Sequence, residues 1–140
     1  MQEITYLESD QDFEHLIPLI RVFSERAKVP YWQQLNEVTA SFTNPNIFVI
    51  IGKDEGRIVG YICGSLLNQR EFYISQLFSP LQAVTPLLLD FLEKEMRERN
   101  VKKLFGLSRP DPRVFEKYGF KTERVLMSKQ LEKEKKEESK

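Results

Sequence analysis

The chain has 140 residues, of which 41% are hydrophobic, enough for one domain around one core. Its 21 basic and 21 acidic residues cancel, so no net charge draws it toward nucleic acid or an anionic membrane. A single Cys and a single His exclude an internal disulfide and a tetrahedral zinc site, and the lone Cys63 fits a reducing cytoplasm. No apolar run approaches the ~18 residues of a membrane-crossing helix, and the acidic, alternating Met1-Gln2-Glu3-Ile4-Thr5 does not read as a signal peptide.

Ile4-Thr5-Tyr6-Leu7 alternates as a first strand. Ser9 caps a helix with Asp10 and Asp12 in its first turn, where the dipole favours them. Phe13, Leu16, Ile17, Ile20 and Phe23 form its apolar stripe, and Pro18 within that stripe predicts a kink or a split. After Lys28-Val29-Pro30 a second helix runs from Tyr31 to Phe42, with Trp32, Leu35, Val38 and Phe42 on its apolar side. Ile47 to Ile51 is nearly continuous in β-branched residues and reads as a buried strand. Lys53-Asp54-Glu55-Gly56-Arg57 is a hairpin turn, and Ile58 to Leu66 returns as the next strand. Gly60 and Gly64 in that strand mark bulges or the close approach of another backbone.

Asn68-Gln69-Arg70 turns the chain into a strand over Phe72 to Phe78. Pro86 to Asn100 is strongly amphipathic, with Leu88, Leu89, Leu92 and Met96 inward, and Thr85-Pro86 reads as its N-cap and first residue. Lys102 to Ser108 is a strand, Asp111 to Tyr118 a short helix with Asp111 as cap and Pro112 next, and Lys121 to Leu131 a last strand. Gly119 stands where a helix C′ residue takes positive φ, and Phe120 as the apolar residue that anchors such a cap. Residues 1–131 thus form one α/β domain of order β-α-α-β-β-β-α-β-α-β, its sheet antiparallel at first and parallel at the crossover. Residues 132–140 are a tail of mixed charge that reads as frayed or disordered.

The run Val114-Phe115-Glu116-Lys117-Tyr118-Gly119-Phe120 resembles the F-Y-x-K-x-G-F end of the GNAT superfamily of N-acetyltransferases. The element order agrees with that family over residues 4–131. The resemblance implies a fold in which the fourth and fifth strands splay and acetyl-coenzyme A enters between them. Its pantetheine would pair with the backbone of Leu77, Phe78 and Ser79, and a β-bulge there would aim an amide at the thioester oxygen. Its pyrophosphate would lie on Ala83, Val84, Thr85 and Leu87, at the N-terminus of the long helix. Ala83 and Thr85 replace the glycines of the family's Q/R-x-x-G-x-G/A loop, and no basic residue lies between Arg70 and Lys94. Ser108 stands where the family has an asparagine that bonds pantetheine, and Phe115 where it has the tyrosine acid. Tyr118 is then either packing or a displaced acid, and Glu71 either a turn residue or a general base.

Other chemistry-bearing residues read as structural. His15 is a solvated helix residue and Cys63 a small buried one. Tyr31 and Trp32 read as core, with the acceptor pocket as their alternative. Two functions remain open. The first is transfer of an acyl group from acyl-coenzyme A to a primary amine, small molecule or peptide. The second is a non-catalytic binding or oligomerisation module, a homodimer among its forms, with a degraded coenzyme A site.

Overall fold

The hydroxyl of Ser9 accepts the N–H of Asp12 at 3.1 Å and starts α1 (Asp10–Ala27), as the capping pattern predicts. The computed structural model describes residues 2–106, 113–121 and 129. Pro18 does not split α1; it lies on the exposed side, where water can serve the carbonyl it leaves unpaired. α2 (Tyr31–Ala40) ends two residues earlier than its apolar pattern suggests, because Ser41, Phe42 and Thr43 tighten into three-residue turn bonds. Tyr31, Leu35 and Val38 face the core, whereas Trp32, one step round the helix, is 71% exposed. The expectation that Trp32 packs in the core is therefore wrong.

Five strands follow one another across a single sheet: β1 (Gln2–Tyr6), β2 (Ile47–Asp54), β3 (Arg57–Leu66), β4 (Glu71–Phe78) and β5 (Lys103–Gly106). The first four pair antiparallel, and β4 pairs parallel with β5 after the crossover through α3 (Val84–Glu98). The β2–β3 hairpin closes through Glu55 and Gly56, both at positive φ, as a two-residue turn of this handedness requires. α4 (Arg113–Glu116) follows β5. The nine described elements keep the order read from the sequence; the expected last strand, the Asp111 cap, Ser108 and the charged tail lie outside the described residues.

Both faces of the sheet are covered, which explains the unbroken apolar run of β2. Ile50, Ile62, Phe72 and Ile74 point toward Val84, Leu88, Leu89, Leu92 and Met96 of α3. Val49, Ile51, Tyr61 and Cys63 point the other way, toward Leu16 and Ile20 of α1 and Val38 of α2. Each fully buried leucine contributes roughly 1.5–3 kcal/mol, so α3 is held chiefly by its inner stripe. No helix among the described residues is long and apolar enough to cross a membrane.

The end of α4 confirms the capping pattern in detail. Gly119 has φ +92°, its N–H bonds Glu116 O at 3.0 Å, and the N–H of Phe120 reaches Phe115 O at 3.3 Å. These are the two bonds of a Schellman cap, and the Phe115 and Phe120 rings supply its apolar contact at 5.1 Å between centroids.

Candidate active site

Strand β4 carries an irregularity at its centre. Cys63 of β3 pairs with Gln76 while the next residue, Gly64, pairs with Ile74, so Ser75 is an extra residue bulged out of the ladder. Gly64 permits this crossing, because a Cβ there would collide with the Tyr73 carbonyl and the Phe72 ring. A regular strand sends successive side chains to opposite faces. The bulge breaks that alternation and sends both Ser75 and Gln76 to the face covered by α2.

Both side chains meet Glu37 there. Gln76 Nε2 donates to Glu37 Oε1 at 2.7 Å and to the Gln34 carbonyl at 3.2 Å. Ser75 Oγ lies 2.6 Å from Glu37 Oε2 and 3.0 Å from the Cys63 carbonyl, and its one proton serves one of them at a time. Tyr61 donates its hydroxyl to Gln76 Oε1 at 2.6 Å. The polarity of the chain of bonds is fixed, because Glu37 and the Gln34 carbonyl can only accept, which orients the Gln76 amide. Burial, with the charges of Cys63 and Glu37 added, pushes the Tyr61 phenol far up. Burial, then the Glu37 carboxylate, pushes the Cys63 thiol well up against a smaller opposing effect of Ser75. Cys63 is thus held as a protonated thiol, which agrees with its reading as a small buried residue and not a nucleophile.

A cleft of about 350 Å³ opens in front of this network. Phe23 and Val29 form one wall, α2 supplies Gln33, Gln34 and Glu37, and β4 supplies Tyr73 and Ser75. Among the described residues, β4 pairs with β5 from Glu71 with Lys103 as far as Ile74 with Gly106. From Ser75 to Phe78, β4 therefore has β3 on one side and no strand on the other among the described residues.

At the start of α3 the structure departs from the pattern that the sequence suggests. α3 begins at Val84, two residues before the expected start, so Thr85 is not its cap, and no side chain caps it. The N–H of Val84 bonds the Leu81 carbonyl at 3.0 Å and that of Thr85 the Gln82 carbonyl at 3.3 Å. Pro86 brings no donor. The donors of this helix start are thus turned back onto the loop, through backbone carbonyls and not through the Thr85 hydroxyl. The Val84 side chain is buried in the core, while Ala83 and Leu87 stay exposed.

The other predicted residues are scattered. Leu77 and Phe78 follow the bulge and pair with Ile62 and Tyr61; the Phe78 ring turns to α1, under Arg26. Ser79 Oγ reaches the Leu81 carbonyl at 2.6 Å and the Val59 carbonyl at 3.2 Å. Phe115 covers Gly106 of β5. Tyr118 packs against the α3-side core with Lys117 over its ring. Glu71 accepts from Asn68 at 2.9 Å in the β3–β4 turn, about 13 Å along the strand from Ser75 at ~3.3 Å per residue. His15 is exposed. Glu37, which sequence reasoning missed, is the one charged residue of α2, and that isolation was the available signal. Among the described residues no group of His, Cys, Asp or Glu could hold a metal ion.

Solved structures share this architecture. An aminoglycoside N-acetyltransferase, AAC(6')-Iy with a coenzyme A bisubstrate analogue, is 15% identical with a TM-score of 0.74, over 94% of this chain and 99% of that one. A ribosomal-protein-alanine N-acetyltransferase from Brucella melitensis is 14% identical at 0.73, over 94% and 100%. A predicted acetyltransferase with acetyl-coenzyme A from Clostridium acetobutylicum is 14% identical at 0.74, over 93% and 96%. By sequence, no family model and no curated protein matches the chain. The fold is that of the GNAT acetyltransferases.

Proposed function

We propose that the chain is an acyl-coenzyme A-dependent N-acyltransferase acting on a primary amine. The observation that carries this is the Ser75 bulge, which opens onto the cleft beneath α2. The backbone of Leu77, Phe78 and Ser79 would hold pantetheine along β4, and Phe115 and the hydroxyl of Ser108 would complete its contacts. Amides beside the bulge would stabilise the oxyanion. The amine would enter from the cleft and attack in its neutral form; its C–N bond forms at the thioester carbonyl as the C–S bond breaks, and the surplus proton on nitrogen passes through water to the departing thiolate. Ala83, Val84, Thr85 and Leu87 would face the pyrophosphate. The turned-back donors of Val84 and Thr85 leave that group fewer free amides.

The same turned-back donors favour the second reading, a binding module that has lost coenzyme A. Calorimetric titration with acetyl-coenzyme A and free coenzyme A separates the two. Micromolar binding, followed by thiol release with an added amine, supports the acyltransferase. No binding up to about millimolar, near −4 kcal/mol, overturns it.

A further inference from the structure

We infer that Glu37 selects the acceptor, and that the acceptor is a small monoamine with an apolar or aromatic body. The inference deepens the acyltransferase reading and rests on it. Of the side chains that line the cleft, Glu37 alone carries a charge. No ion pair reaches it among the described residues; its two hydrogen bonds come from the neutral Ser75 and Gln76. A half-buried carboxylate without a counter-charge is an electrostatic demand for a cation. Each of its oxygens keeps a further lone pair for an ammonium N–H. The Tyr61–Gln76 bond behind it holds the carboxylate in one orientation.

The rest of the cleft defines the rest of the ligand. Phe23, Val29 and Tyr73 offer apolar and aromatic surface suited to a hydrocarbon body, and rings also attract a cation across their faces. The volume of about 350 Å³ is at the small end of ligand sites. A polycationic amine would bring several charges to one carboxylate and set the others against the neutral side chains of Phe23, Val29, Gln33, Gln34, Tyr73 and Ser75. The acceptor expected here therefore differs in kind from the one in the name of the aminoglycoside N-acetyltransferase that shares the fold.

The test is calorimetric titration of phenethylamine, isobutylamine and kanamycin into the wild-type chain and Glu37→Gln, with and without free coenzyme A. The substitution keeps the network intact. The oxygen of the introduced amide would still accept from Gln76. Ser75 would turn its proton to the Cys63 carbonyl, already 3.0 Å away, and accept from the amide nitrogen. Expected are monoamine binding to the wild type and a loss of roughly tenfold or more in the variant, as for a charged hydrogen bond. Melting temperature and coenzyme A affinity should not move. Equal monoamine affinity in both proteins, no monoamine binding to the wild type, or tighter binding of kanamycin overturns the inference. Should Glu37→Gln fail to fold, Gln33→Glu on the exposed side of α2 replaces it. A few-fold tighter, salt-sensitive monoamine binding supports the assignment, and no gain overturns it. Loss of coenzyme A binding with Glu37-dependent amine binding retained would fail the acyltransferase reading while leaving the ligand of the cleft assigned.

Discussion

At the bulge, two side chains of β4 converge on one carboxylate of α2, with Tyr61 of β3 bonded behind them; at the start of α3, backbone donors turn back on the loop that precedes them. The first region holds a charge in place, facing a cleft. The second is satisfied by itself, with Val84 and Thr85 bonded to Leu81 and Gln82. On the proposed reading, the two ends of one ligand path are unequally prepared. The proposed amine end relies on side chains whose geometry the core enforces. The proposed phosphate end would rely on free amides, which become fewer as the loop closes on itself.

The largest expected effect would break the prepared region outright. Gly64→Val should cost about 3 kcal/mol, because the new side chain has to displace the Tyr73 carbonyl and the Phe72 ring and with them the bulge. Urea unfolding measures it, and a change below about 1 kcal/mol would show that the strands can part without harm. Gln76→Leu should cost about 2 kcal/mol, since it leaves the Tyr61 hydroxyl unpaired and Glu37 with one bond fewer. Coenzyme A affinity should survive that change, if the two ends are independent as argued.

Ala83→Asp probes the other region. It sets a negative charge against the proposed pyrophosphate and should weaken coenzyme A roughly tenfold, about 1.4 kcal/mol. Ala83 is exposed, and an acidic residue suits a helix N-terminus, so the melting temperature should hold. Unchanged affinity in the folded variant would remove the phosphate from this helix.

The smallest effect concerns alkaline pH. Tyr61 and Cys63 in the network, and Tyr6 outside it, all titrate above their ordinary values in the folded chain. For Tyr6 burial is the main cause, followed by its 2.8 Å hydrogen bond to Glu95. The unfolded chain releases these protons first, near ~8.5 for a thiol and ~10 for a phenol. Their stabilisation is complete below those values and declines as pH rises past them. Melting temperature should therefore stay level from about pH 6 to 8, as far as these groups are concerned, and fall above about 8.5. Tyr6→Phe should reduce the fall only in the phenol range, leaving the part due to the network. A fall of the same size in that variant would remove Tyr6 from the account.

Much of the fold was legible because its signals are local. The Ser9 cap, the Glu55-Gly56 turn and the alternation of the strands each lie within a few neighbouring residues. So does the cap formed by Phe115, Glu116, Gly119 and Phe120, the segment that first suggested the family. The errors arose where a local signal competed with packing. Thr85-Pro86 has the composition of a helix start, yet the chain begins α3 at Val84 because that side chain is buried in the core. Trp32 is apolar, yet helix phase carries it away from Tyr31, Leu35 and Val38 into water. Glu71, in contrast, accepts from Asn68 in the β3–β4 turn, in line with its reading as a turn residue.

The sequence alone determined the elements, their order and the one cap that marks the family resemblance, because periodicity and capping act over one or two turns of chain. The site was decided by tertiary structure. That Ser75 and Gln76 share a face depends on a register shift against β3, made possible by the missing side chain of Gly64. That both reach Glu37 depends on where α2 lies across the sheet, 38 and 39 residues earlier in the chain. A strand of regular alternation would have separated Ser75 from Gln76, and only the packed sheet holds the extra residue that brings them together.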